Sequence, residues 1–525
     1  MAIWYVRPNT SHSGTRNGTS YATAWGGWSE IVWGVSGVNA GDTLYLCGAH
    51  AYTASIALGA HGATSDSNRV TIRGDYATSP GSIAFSTAGW FDFGRKYTTL
   101  KSVTITSTSS GFNCIYISGS ATAGVVIDGC TLTGADNGVV LAGSTAFTSL
   151  TIKNCNISGQ TNSAINQTSA TASLTSSGIV ITGNTIHDTS LYGIYMVINS
   201  PAWDTSYFND YYIANNTIYN LPGGPMHLRV CNSDTTTAPV NYSSGLVISG
   251  NTIYNCGTVA GASGTHGTPN IEGFIGAVIV NNTVRDCYAE GAGLQTWKNK
   301  NPLIAFNTIL RIRSATRTDG FQNGLPIDGN GIFFDVLTVG GLAYGNYISD
   351  LISTGNTNSG TALSFWNCTG SRFIGNVVEN CYVGASYGHT NETGNEIYNN
   401  TFINCTKGVD KVGTLTLTGN LTVKNNIFSG CTNGFTIGAN PGITADYNCI
   451  HGATTAYTGI SAGANDLAVN PLLDTKYRTQ SPTLKRSGTA ITGKDFYGKV
   501  FYSTPTIGAV EDHRTPAWAA VGQVT

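Results

Sequence analysis

The sequence predicts an all-β fold: a single-stranded right-handed parallel β-helix of about 12–13 coils, three strands to a coil, with an N-terminal helical cap and a C-terminal β cap. Three observations predict it. The first is a motif the chain keeps repeating, Asn followed by an apolar residue two on and Cys five on. It reads "NTIYNC" at 251–256, "NTVRDC" at 282–287, "NVVENC" at 376–381, "NTFINC" at 400–405 and "NIFSGC" at 426–431. The second is the variable distance between repeats. Aligned on Cys130, Cys155, Asn184, Asn216, Asn251, Asn282, Asn307, Asn346, Asn376, Asn400 and Asn426, successive spacings run from 24 to 39 residues. Helical repeats have lengths fixed by packed helices, whereas coils of short strands change length at their turns. The third is composition. Gly is 66 of 525 residues and charged residues are 10%, against an ordinary share of about 25%, while apolar content is an ordinary 41%. Such a chain has a core, and Asn, Ser, Thr and Gly make its surface soluble.

Each element follows from local pattern. A β-rich run precedes each repeat Asn ("LVISG" before Asn251, "AVIVN" before Asn282) and a short run follows it. A third run comes later, as in "GIYM", "GLQTW", "GIFFDV" and "GFTIG". Parallel connections of this kind are right-handed. An Asn in one turn of every coil can take the left-handed backbone conformation and stack its amide on the next. Ile253 and Val284 point inward. Cys256, Cys287, Cys381, Cys405 and Cys431 form a second inward column, where a reduced thiol serves as a small hydrophobe. Residues 20–35 space Trp25, Trp28, Ile31 and Val35 like one helical face, which predicts a helix over the first coil. The expected organisation is a cap over 1–40, the β-helix over 41–450 and a closing segment over 451–525, since open strand edges need covers.

Several function classes are disfavoured. A net charge of -2 gives no reason for a nucleic-acid or membrane-surface partner. No apolar run approaches the roughly 18 residues of a membrane span. The start "MAIWYVRPNT" has neither the basic nor the apolar region of a signal peptide. No cofactor or metal is expected: His187, His227 and His266 are scattered over three coils, no CxxC pair suggests zinc, and no acidic loop suggests calcium. The "NNT" sequons are ladder residues rather than glycosylation sites.

In a solenoid the coils are scaffold and function lies beside the longest turns. These cluster between residues 187 and 335. Strand alternation with Ile194, Met226, Leu228, Leu294, Ile332 and Phe334 inward turns Tyr195, His227, Arg229, Gln295, Trp297, Phe333 and Asp335 outward. "PNIEG" contributes Glu272 to the same stripe. Aromatic faces stack on pyranose rings and polar groups bind hydroxyls, so the stripe suits a sugar chain. For hydrolysis, Glu272 and Asp335 are the candidate carboxyl pair, two coils and about 10 Å apart, with Asp204, Asp319 and Asp328 in reserve. For β-elimination, His227 or Lys298 is the candidate base and Arg229 or Arg311 the cation that neutralises a uronate. Lys298, Lys300, Arg311, Arg313 and Arg317 form a basic cluster there. Tyr195, Gln295, Trp297, Lys298, Arg311 and Arg313 are the candidate substrate contacts.

The start "YVRPNTSHSGTRNGTSYATAW…GDTLYLCG", the Asn coils and the end "SPTL…IGAVE" resemble the right-handed β-helix proteins of the pectate-lyase-like superfamily, over nearly the whole chain. Polysaccharide lyases and bacteriophage tailspike depolymerases both belong to it. The resemblance implies a protein of the tailspike type that binds and cleaves a bacterial surface polysaccharide. It also implies a virion location, other virion proteins as partners and a homotrimer. A non-catalytic virion spike and a secreted bacterial polysaccharide lyase are the alternatives. No single family's catalytic motif matches, so the resemblance assigns no residue a role.

Overall fold

The computed structural model describes residues 1–9, 14–108, 111–118, 123–142, 146–169, 175–198, 205–232, 236–257, 269–289, 291–316, 326–327, 329–352, 360–389, 392–412, 420–438 and 442–513. The chain is all-β, a right-handed parallel β-helix in which each coil gives one strand to each of three parallel sheets. It divides into two compact units, one of residues 1–302 and 315–325, the other of residues 303–314 and 326–525. Among the described residues the third strand of the coil occurs nine times in the first unit and six times in the second. The sequence suggested 12–13 because the coils before Cys130 carry no repeat residue to count. No described helix is long and apolar enough to cross a membrane.

Within the first unit the Asn column is continuous. The backbone N–H of Asn184 donates to Asn216 Oδ1, that of Asn216 to Asn251 Oδ1 and that of Asn251 to Asn282 Oδ1, at 3.0 Å each. Each side-chain amide also donates to the next Oδ1 and to a carbonyl of an earlier coil, as Asn216 does to Ile181. In the second unit the column runs through Asn307, Asn346, Asn376, Asn400, Asn426 and Asn448, and Asn448 N–H donates to Asp466 at 2.7 Å. A carboxylate that only accepts is a fitting last rung.

One detail differs from expectation. The ladder residues are not left-handed; the residue before each is. Gly129, Asn154, Gly183, Asn215, Gly250, Asn281, Phe306, Gly345, Gly375, Asn399, Asn425 and Tyr447 all have positive φ. The turn is made one residue early, which frees the ladder side chain to point inward and makes Gly or Asn the favoured residue there. The ladder Asn residues are buried, as are all twelve cysteines, which are free thiols.

The N-terminal helix is the clearest correction. Trp25–Gly26 is a strand, with Trp25 paired to Val6, and only Trp28–Glu30 turns, as one 3-10 turn. Gly26 and Gly27 break any helix, Gly27 at φ +102, and Val35 is 94% exposed rather than on a buried face. The cap works through aromatic packing instead: Trp4 stacks on Trp25 at 5.2 Å and Trp28 meets Phe91 edge-on at 5.0 Å. The closing segment is likewise less regular than expected. After the strand Thr455–Thr458, which still belongs to the third sheet, its described residues hold isolated antiparallel bridges, Leu473 with Thr479 and Lys494 with Val500. It lies along the outer turns of the second unit, where Asn399 donates to the Thr506 carbonyl at 2.8 Å and Leu484 and Ile507 pack on Ile427 and Cys449.

Candidate active site

The third sheet of the first unit carries the outward stripe. Its strands Tyr192–Ile198, Met226–Arg229, Asn270–Glu272 and Ala292–Trp297 pair in parallel and in register. Two columns result. One is Tyr195, His227, Asn270, Gln295; the other is Val197, Arg229, Glu272, Trp297. Between them Met196, Leu228, Ile271 and Thr296 face the core.

A buried polar network joins the columns. His227 Nε2 lies 2.9 Å from Glu272 Oε1, and Asn270 Nδ2 donates to the same oxygen at 2.7 Å. His227 is 4% exposed and Glu272 2%. With Nε2 donating to the carboxylate, His227 Nδ1 is left as a buried lone pair, and it has no hydrogen-bond partner among the described residues. Tyr195 crosses the imidazole edge-on at 5.5 Å and stacks on Tyr192 at 4.5 Å. Burial holds the Tyr195 phenol above its ordinary range; Arg229 opposes this and the Glu272 carboxylate adds to it. Tyr195, Arg229 and Trp297 are half-buried, so they are the members of the stripe that reach solvent. Just after Glu272, Gly273 at φ +83 turns the chain where a Cβ would sit 2.9 Å from Val230 Cγ2.

Seven predicted residues therefore come together in one unit: Tyr195, His227, Arg229, Glu272, Gln295, Trp297 and Lys298. Lys298 departs from expectation. It follows the last strand with φ +53, is fully buried and donates to Asn232 Oδ1. Next to it Asn299 accepts from Phe274 N–H at 2.6 Å and donates to the Ile271 carbonyl at 2.7 Å, which fixes the strand end. Alternation decides direction, not exposure: His227, Glu272 and Gln295 are outward yet buried. Asn270 and Tyr192 were not anticipated. In "PNIEG" the residue two before Glu272 shares its face, and that period-two signal points to Asn270 once Ile271 is taken as core.

Asp335, Arg311 and Arg313 belong to the second unit. There Asp335 is 7% exposed and its carboxylate accepts from Val336 N–H at 2.7 Å; Phe333 is buried beside it. Arg311 has φ +52 and is half-buried, and Arg313 is exposed. Asp204, Asp319, Asp328, His266 and Arg317 lie outside the described residues. His187 sits on the second sheet, sandwiched between Asn156 and Asp188 and stacked on Tyr219 at 5.0 Å.

Residues 81–333 match the family model described as right handed beta helix region, a little under half of the chain. Residues 323–477 match the model described as periplasmic copper-binding protein (NosD). The described residues do not fit the copper named there. No group of three or more His, Cys, Asp or Glu among them could hold a metal ion, and the five cysteines of that stretch are buried. Solved structures with some likeness include a GH136 lacto-N-biosidase from Eubacterium ramulus (TM-score 0.37, 12% identity, 86% of this chain and 68% of that one). Others are the A-module of the mannuronan C-5 epimerase AlgE6 from Azotobacter vinelandii (0.34, 14%, 74% and 91%) and a PL6 alginate lyase in complex with a trisaccharide (0.41, 12%, 80% and 85%). At these scores none assigns an activity or a residue to this chain. No curated protein matches it.

Proposed function

We propose that the chain binds a uronate-bearing polysaccharide on the Tyr195–Trp297 stripe and cleaves it by β-elimination. The observation that carries this reading is the His227–Glu272 pair at 2.9 Å, whose second imidazole nitrogen is buried and has no hydrogen-bond partner among the described residues. A carboxylate behind an imidazole fixes its tautomer and supports a charged imidazolium, as a base–orienter pair requires. His227 Nδ1 would take the proton at C5 of the uronate. The half-buried Arg229 guanidinium would neutralise the sugar carboxylate and make that proton acidic. Tyr195, a phenol that holds its proton, would return one to the departing glycosidic oxygen, and Trp297 offers a ring for a pyranose to stack on. The electron pair of the C5–H bond becomes the new C4–C5 double bond as the C4–O bond breaks.

Hydrolysis fits less well. It needs two carboxyl groups across the scissile bond. Among the described residues of this network Glu272 is the one carboxylate, and it is already engaged by His227 and Asn270. As the setting we propose a bacterial surface polysaccharide and a tailspike-like, homotrimeric virion protein; the sequence resemblance is what supports this. A periplasmic or secreted bacterial lyase is the second setting, favoured by the match of residues 323–477.

Turnover of a uronate polymer by variants tests the reading. Arg229→Ala and His227→Ala should each lower kcat by at least about 10²-fold. Glu272→Gln should lower it less and shift the pH profile, because it acts through His227. If Glu272→Gln abolishes turnover while His227→Ala is mild, the carboxyl group is doing the chemistry and elimination is wrong.

A further inference from the structure

The outward column that holds Tyr195 does not stop there. Followed toward the N-terminus in register it reads Asn166, Val140, Tyr116 and Asp92. At its far end lies an aromatic cluster on the same face. Trp90 stacks on Phe112 at 5.9 Å and meets Tyr116 at 5.6 Å, and all three are half-buried. In register with Tyr116, Asp92 Oδ1 is buried and has no hydrogen-bond partner among the described residues. A ring surface beside an acceptor that lacks a donor matches the two chemistries of a sugar, its C–H face and its hydroxyls.

The spacing fixes what can span the two places. Tyr116 and Tyr195 are three strands apart, about 14 Å at roughly 4.8 Å per strand. A linked pyranose advances roughly 5 Å, so each sugar of an extended chain meets about one coil. From this geometry we infer that Trp90, Phe112, Tyr116 and Asp92 form a distal subsite for the same polymer, about three sugars from Tyr195, with the chain lying along the column. The inference rests on the reading of the Tyr195–Trp297 stripe as a polysaccharide site. It adds a substrate class: a long chain attacked internally, not a short oligosaccharide or a chain end.

The test is kcat/KM for a polymer and for a trisaccharide of the same sugar, with Trp90→Ala, Phe112→Ala and the ring-retaining Trp90→Phe. The alanine variants should lose about tenfold on the polymer, through KM, and nothing on the trisaccharide, while Trp90→Phe keeps most of the activity. Equal losses on both substrates mean the cluster is structural, and no loss on the polymer means there is no distal subsite; either result overturns the inference and leaves the reaction standing. If nothing is turned over, polymer retention in affinity electrophoresis decides. Weaker retention by Trp90→Ala supports the subsite even though the elimination reading has failed. Retention equal to the parent, or none by either protein on every uronate polymer tried, overturns it.

Discussion

Replacing Asn251 by Ala removes the centre of the Asn column in the first unit. Its Oδ1 accepts from Asn216 N–H and Asn216 Nδ2, both at 3.0 Å, and its Nδ2 donates to the Ile213 carbonyl at 2.9 Å and Asn282 Oδ1 at 3.0 Å. All these groups are buried, so water cannot replace the lost partner. The backbone N–H of Asn216 is left with none, while Asn216 Nδ2 keeps the Ile181 carbonyl. One orphaned buried donor costs about 1–3 kcal/mol and the weakened acceptor and amide contacts add to it. We therefore expect Asn251→Ala to destabilise by about 3–5 kcal/mol. Asn255 is the control four residues on. It is exposed, and its amide reaches Asn220 at 3.3 Å, so Asn255→Ala should cost no more than about 1–2 kcal/mol, the strain of Ala at φ +53. The assay is urea unfolding of both variants at an unchanged m-value, with hydrogen exchange of the Asn216 amide as the local readout. A loss below about 1 kcal/mol for Asn251→Ala, or one equal to that of Asn255→Ala, would refute the ladder as the source of stability.

Burial pushes the Glu392 carboxyl from its ordinary 4.5 up to about 8, although it accepts backbone N–H groups of Gly388 and His389. The folded state thus keeps a proton that the unfolded chain releases, and stability falls as pH rises from about 4.5 through 8. Glu392→Gln should flatten that slope and stabilise at pH 8, by at most ~5 kcal/mol; a pH-independent parent would contradict this. Cys256, Cys287, Cys381, Cys405 and Cys431 are buried, and desolvation pushes the Cys381 thiol up to about 12, so thiol reagents should label these positions only after unfolding. Rapid labelling of the folded protein would show that the inward column is wrong. Tyr195→Phe should lower turnover and leave folding intact, since the phenol hydroxyl is not used by the packing with Tyr192 and His227.

The coil was legible because its signal is repeated. One Asn in a turn is noise, but a column of them at strand-compatible spacings leaves few folds able to hold it. The left-handed residue was misplaced by one because Asn is common at both positions of "NN" turns, and only the φ values separate them. The helix read over 20–35 failed for the opposite reason. Four residues at helical spacing are a short pattern, and two adjacent glycines outweighed it. In the site, alternation put Tyr195, His227, Arg229, Glu272 and Trp297 on one face correctly, because inward Leu228, Ile271 and Thr296 alternate with them. What alternation does not encode is depth. The burial of His227, Glu272 and Lys298 depends on neighbours from other coils, and the diagonal bond from His227 to Glu272 arises from side-chain reach across two columns. Asn270 was missed because the register of "PNIEG" was open, and its amide bond to Glu272, two residues on in the same strand, shows only once that register is known.

The central claim is that this stripe performs elimination, and the product reports that directly. Purified protein incubated with a panel of uronate-containing polysaccharides should raise the absorbance near 235 nm, roughly where unsaturated uronates absorb. New reducing ends should appear in equal number, and Arg229→Ala should abolish both. Reducing ends formed without the absorbance would contradict the account in favour of hydrolysis, and polymer bound but unchanged would make the stripe a binding surface.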